Sequence, residues 1–145
     1  MGIVTKCAEV PYTAEQMYSL VNDIEAYPEF LPWCTDARVY NRTETSLNAS
    51  VSLATGKIKQ SFSTENTMEF GRRIDVKLIS GPFKYLYGYW EFLNIDNNRC
   101  RIKLNMEFEF KNKLLKLTLK SFFNKFMDSL VGAFTDRARI KYPKF

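Results

Sequence analysis

No histidine occurs among the 145 residues. Its absence removes the imidazole base of Ser-His and Cys-His nucleophilic sites, the H-E-x-x-H zinc site and the facial triad of non-haem iron. Cysteine is scarce too. Cys7, Cys34 and Cys100 are odd in number, far apart and form no C-x-x-C, which argues against a disulfide framework or a thiolate metal site and fits a reducing compartment. Glycine numbers six, and neither G-x-x-x-x-G-K-[ST] nor G-x-G-x-x-G is present, so the usual phosphate cradles are missing. No apolar run is long enough to cross a bilayer, because Lys116, Lys120, Lys125 and Asp128 interrupt the greasiest stretch. The opening MGIVTK has no charged n-region followed by an apolar h-region, and Lys6 breaks the myristoylation pattern. A bacterial cytoplasmic protein and a mature organellar one both fit; the lack of a transit segment favours the former, with peripheral contact at the inner membrane open to it.

What is present is a chain 46% hydrophobic and 15% aromatic without low-complexity segments, enough for a single domain over 1–145 with a sizeable core. Ile3 to Val10 reads as a short strand that Pro11 ends. Thr13 and Gln16 stand in capping-box positions before a helix whose stripe is Met17, Leu20, Val21 and Ile24. The segment YPEFLPW, Tyr27 to Trp33, then sets two prolines and three aromatics where a simple connector would do, and the prolines forbid one continuous helix. From Thr35 to Phe110 the period becomes two, broken by turn residues at Asn41 to Thr45, Gly56, Gly71, Ser80 to Pro82 and Asp96 to Asn98, which predicts six strands in a meander. The clearest is CRIKLNMEFEF, where Cys100, Ile102, Leu104, Met106, Phe108 and Phe110 alternate with polar residues. A long helix follows from about Asn112 to Lys141, with Leu115, Leu119, Phe122, Phe123, Phe126, Met127, Leu130, Phe134 and Ala138 on one stripe. The expected class is α+β: a curved antiparallel sheet of about seven strands wrapped on a long C-terminal helix, with two short helices near the N-terminus.

The stretches VPYTAEQMYSLVNDIEAYPEFLPWC, GPFKYLYGYWEF, MEFEFKNKLL and LVGAFTDRA resemble the coenzyme Q-binding START-like family of the polyketide cyclase/START superfamily, in the bacterial branch that includes a ribosome-association toxin. The resemblance covers almost the whole chain. It implies the helix-grip fold of START and Bet v 1-like proteins, in which sheet and helix enclose an apolar tunnel. It also implies two divergent roles: binding of a polyprenyl quinone in support of respiration or quinone biosynthesis, and binding of the large ribosomal subunit that blocks subunit association.

In such a grip the YPEFLPW segment would roof one end of the cavity, with Tyr27, Phe30, Leu31 and Trp33 toward the ligand. Phe62, Met68, Phe83, Trp90, Leu104, Met106, Phe122, Phe126 and Leu130 are core in any case and candidate cavity wall. Gln60, Thr64, Asn66 and the tyrosines are the few polar groups able to orient a head group. That suits ubiquinone or a similar polyprenyl lipid held as a ligand, with no cofactor required. Each buried CH₂ contributes ~0.8 kcal/mol, so a few isoprene units could offset the cost of association.

Charge is concentrated at the end of the chain. Residues 111–145 hold nine basic and two acidic residues, a surplus of seven that leaves −2 for the rest of a chain whose total is +5. Lys111, Lys113, Lys116, Lys120 and Lys125 would form a basic outer face suited to anionic membrane or ribosomal RNA; no RNA-reading motif or single-strand stacking platform accompanies it, and DNA is not an expected partner. The carboxylates Glu65, Glu69, Asp75, Glu91, Glu107 and Glu109 and the tyrosines 85, 87 and 89 are the only acid-base candidates, and period two sends Glu107 and Glu109 outward. Cys34 has no histidine to activate it. The expectation is therefore a non-catalytic binding protein for a hydrophobic small molecule, with the ribosome-directed role as the alternative and a cyclase-type enzyme ranked below both.

Overall fold

Pro11 stops the first strand and Thr13 starts the first helix, and the computed structural model, which describes residues 2–143, shows both. Lys144, one of the basic residues counted above, lies outside the described residues. Strand β1 (Gly2–Val10) leads to helix α1 (Ala14–Asn22). The Thr13 hydroxyl accepts from the Gln16 amide at 3.2 Å and the Gln16 side chain accepts from the Thr13 amide at 2.9 Å, completing the expected capping box. Met17, Leu20 and Val21 are buried on one face. Ile24, the last residue of the predicted stripe, begins a separate 3₁₀ segment (Ile24–Glu29) that contains Pro28.

Pro32 then shapes a tight turn in which the Cys34 amide donates to the Leu31 carbonyl at 3.3 Å. Proline at the second turn position is followed by Trp33 at φ +64°, a left-handed conformation that ordinarily favours glycine. An indole held there costs on the order of 1–3 kcal/mol. The Trp33 ring recovers part of that by packing on Phe122 at 5.2 Å, and its carbonyl accepts from the Ala54 amide at 2.9 Å.

Six strands follow as the period predicts: β2 (Cys34–Tyr40), β3 (Ser46–Thr55), β4 (Ile58–Glu69), β5 (Arg73–Ser80), β6 (Phe83–Asp96) and β7 (Arg99–Phe110). With β1 they form one antiparallel sheet in the order β1-β7-β6-β5-β4-β3-β2. Register shifts near Cys34, Ser63, Phe83 and Asn94 are the irregularities that bend strands and let the sheet curve. All six apolar residues of the β7 alternation are buried.

Helix α2 (Lys113–Lys141) starts where Asn112 accepts from the Leu115 amide at 2.9 Å and stops before Pro143. Its stripe is buried from Leu119 to Ala138, and Val131 joins it. Phe123 anchors the helix on the sheet, with ring centroids 4.8 Å from both Phe83 and Phe108. The arrangement is the expected helix-grip: a seven-stranded curved sheet closed around one long helix.

Candidate functional site

Inward-facing positions of the middle strands do not all touch α2. In register, Leu47 lies opposite Asn66, Asn66 opposite Val76, Val76 opposite Gly88, and Gly88 opposite Met106, giving one transverse row. Ala49 and Thr64 are paired in the adjoining row. Between these rows and the helix residues Phe126, Met127, Leu130 and Phe134 lies a cavity of about 80 Å³, lined also by Val51, Phe62, Leu86 and Trp90 and by Ile24, Tyr27 and Leu31 of the 3₁₀ segment and the turn after it. Glycine is required at position 88: a Cβ there would stand 2.0 Å from the Asn105 carbonyl oxygen and 2.4 Å from the Met106 sulfur. The thioether of Met106 lies where a side chain at 88 would otherwise be.

The cavity wall contains no Asp, Glu, Lys, Arg or Cys. Its polar groups are Thr64 and Asn66, each 6% exposed, the Tyr27 hydroxyl and the Trp90 indole N–H. Thr64 donates to Asn66 Oδ1 at 2.9 Å, so the hydroxyl hydrogen is committed while the Asn66 amide nitrogen keeps its donors. Tyr27 donates to the Val21 carbonyl, and burial pushes its phenol far above the ordinary tyrosine range. Such a lining solvates an apolar molecule and offers only neutral donors, the Asn66 amide and the Trp90 indole N–H, to a carbonyl-like acceptor. It has no group poised to move a proton near neutral pH.

The Tyr27 to Trp33 segment is fastened to α2 by aromatic and ionic contacts. Phe134 makes edge-to-face contacts with Tyr27 at 5.4 Å, Phe30 at 5.3 Å and Trp90 at 5.4 Å. Arg137, only 12% exposed, lies 4.9 Å over the Phe30 ring and donates to Glu29 at 2.9 Å. Its Nε has no hydrogen-bond partner among the described residues.

Seven of the thirteen residues singled out from sequence line this cavity: Tyr27, Leu31, Phe62, Trp90, Met106, Phe126 and Leu130. The structure places the others elsewhere. Phe83 and Phe122, again with Phe62, line a narrow crevice near the start of α2. Met68 borders a polar surface pocket beside the end of α1. Phe30 packs on the outside of Tyr27 and Phe134, and Trp33 on Phe122. Leu104 is 0% exposed within the core, opposite Trp90 and outside the cavity wall. Ala49, Val51, Val76, Leu86 and Phe134 line the cavity without having been singled out for it. Extending the inward parity of β7 across the strand pairs would have found all but Phe134, which belongs to the helix stripe.

Glu107 stands on the outer face, where Tyr87 donates to it and raises its own pKa by that bond. None of the other candidate carboxylates reaches the cavity wall. Burial drives the thiols of Cys34 and Cys100 up to about 11, which makes them poor nucleophiles. Among the described residues no group of His, Cys, Asp and Glu is arranged to hold a metal ion. Lys111, Lys113, Lys116, Lys120 and Lys125 are all exposed. No helix among the described residues is long and apolar enough to cross a membrane.

Residues 10–135 match the family described as polyketide cyclase / dehydrase and lipid transport. The chain is 40% identical over 142 residues to the Ribosome association toxin RatA of Escherichia coli (strain K12), covering 98% of this chain and 90% of that protein. It is 26% identical over 139 residues to the mitochondrial Coenzyme Q-binding protein COQ10 of Drosophila melanogaster, covering 93% of this chain and 57% of that protein. The crystal structure of the Zhui aromatase/cyclase from a Streptomyces species superimposes with a TM-score of 0.84 over 96% of this chain and 95% of that one. At 11% identity that likeness concerns the fold alone.

Proposed function

Because the chain belongs to the polyketide cyclase/dehydrase and lipid transport family, we propose that it binds a neutral polyprenyl quinone or related lipid between sheet and helix, and does so without catalysis. The observation that carries this reading is the cavity wall: apolar except for Thr64, Asn66, the Tyr27 hydroxyl and the Trp90 indole N–H, with no ionisable group active near neutral pH. A charged ligand would have no counter-charge there, whereas a ring carbonyl would take a hydrogen bond from Asn66 and leave the tail to Met106, Met127 and the aromatic rings. The name of the 26% identical COQ10 relative points the same way. At about 80 Å³ the space is well below the ~300–1,000 Å³ of ordinary ligand sites, so a prenyl chain enters by displacing lining side chains, chiefly the two flexible methionines. The test is solvent extraction of protein purified from its native host, with mass spectrometry of the extract. Near-stoichiometric quinone or prenyl lipid supports the proposal, and its absence from folded protein contradicts it.

A second reading, association with the ribosome, is favoured by the 40% identical relatives named for that property and by the acid-free lysine run of α2. It predicts that the chain travels with ribosomal particles in a gradient and that Lys116→Glu, Lys120→Glu and Lys125→Glu together weaken this in a salt-dependent way. Failure to co-sediment at low salt excludes it.

A further inference from the structure

We propose that the first turns of α2 dock on an anionic lipid bilayer, Leu114 and Leu117 entering the acyl boundary while Lys113, Lys116 and Lys120 engage headgroup phosphates. Residues 111–125 contain five lysines and no acid, and no salt bridge among the described residues engages them. These lysines crowd the start of a helix whose first turn has no acidic residue, the end where the macrodipole disfavours positive charge. On the same turns Leu114 and Leu117 are 70% and 76% exposed, while Leu119 is buried. At 100° per residue, both leucines point away from the Leu119 side, with Lys113, Lys116 and Lys120 along one flank and Lys125 on the other.

Each feature is unfavourable in water, and the two share one remedy. A surface anionic at its boundary and apolar beneath relieves the lysines and the leucines together. Nucleic acid would answer the lysines but leave the leucines wet. A second copy of this chain, face to face, would set lysines against lysines. The crevice that Pro82, Phe110 and Leu119 form with Phe62 lies on the opposite, buried side of these turns, so the docking face stands independently of the cavity reading.

The experiment is co-sedimentation of the full chain with vesicles of phosphatidylcholine alone and of phosphatidylcholine with phosphatidylglycerol. Binding is expected only to the anionic vesicles and is expected to weaken with salt. Leu114→Ser with Leu117→Ser should lower partitioning roughly a hundredfold, about tenfold for each leucine. Lys113→Gln with Lys116→Gln and Lys120→Gln should lower it by a similar factor, about fivefold for each charge. All five positions are exposed, and an unchanged thermal transition confirms that the variants fold. Absence of vesicle binding by the wild-type chain overturns the proposal, as does leucine-independent binding. A dimer in solution that the leucine variant dissociates would assign the face to a second copy. Ribosome binding lost with the lysines but indifferent to the leucines, without vesicle binding, would assign it to RNA. Lipid extraction of the leucine variant separates the two readings, since a retained ligand with lost vesicle binding leaves the cavity intact.

Discussion

Filling the cavity should stabilise the fold while abolishing its binding function. Ala49 is 3% exposed and its side chain lines the cavity opposite Phe126 and Leu130. Unfilled core volume costs about 24 cal/mol per Å³, so the 80 Å³ described here costs the native state roughly 2 kcal/mol. Ala49→Leu places added methyl groups in that space rather than against a packed wall. The expected gain is up to about 2 kcal/mol, which for a chain of this size raises Tm by roughly 4–8 °C. The same substitution removes the room from which a ligand must displace the lining, so quinone retention in the solvent extract should fall to background. Thermal unfolding of delipidated protein and lipid extraction of parallel preparations read the two effects independently. A variant that is destabilised by 1–3 kcal/mol, as overpacking predicts, and still retains its lipid would refute the reasoning, because the volume would then be neither available nor used.

Gly88→Ala should destabilise by about 3 kcal/mol or more, since the new methyl meets a backbone oxygen at 2.0 Å that cannot move without shifting β7; denaturant unfolding measures it, and a loss under 1 kcal/mol would contradict the geometry. Arg137→Ala removes the cation over Phe30 and its partner for Glu29, with an expected loss of about 1–2 kcal/mol and faster hydrogen exchange at the Phe30 and Leu31 amides, whereas Glu29→Gln, at an exposed partner, should cost less than about 1 kcal/mol. Cys34 and Cys100 are raised from the ordinary thiol value of 9.0 to about 11 in the folded chain. The folded state therefore holds their protons more tightly than the unfolded state. Their contribution is full below pH 9, is lost as pH rises toward 11, and shrinks in Cys100→Ala when unfolding midpoints are compared across that window. Exposed Cys7 should react with a thiol reagent well before the other two.

The secondary structure was largely legible because its signals are local. Period two from Cys100 to Phe110 specifies a strand with one buried face. The turn residues at Asn41, Gly56 and Gly71, all with positive φ, mark strand ends, and Asn112 and Pro143 bracket α2. Two details were less readable. The Tyr27 to Trp33 segment shows its stiffness through its prolines, but nothing in the string announces an indole in the left-handed region at Trp33. Val131 lies at the edge of the helix stripe, where burial depends on what packs beside it.

Cavity membership was a different matter. Leu104 and Met106 have the same parity on the same strand, the same chemistry and nearly the same burial, yet only Met106 lines the cavity. What separates them is which transverse row each occupies. Met106 shares its row with Gly88, Val76 and Asn66 and faces the gap left beneath α2, whereas in the row of Leu104 it is the opposite residue, Trp90, that reaches the cavity wall. Parity along a strand is a property of covalent geometry, so the sequence alone determined which residues point inward, where the strands turn and which stripe of α2 is buried. The distance between sheet and helix at each row depends on bulges, curvature and the aromatic contacts of Phe123 and Phe134 many residues away, and only the tertiary structure could decide where that distance leaves a cavity.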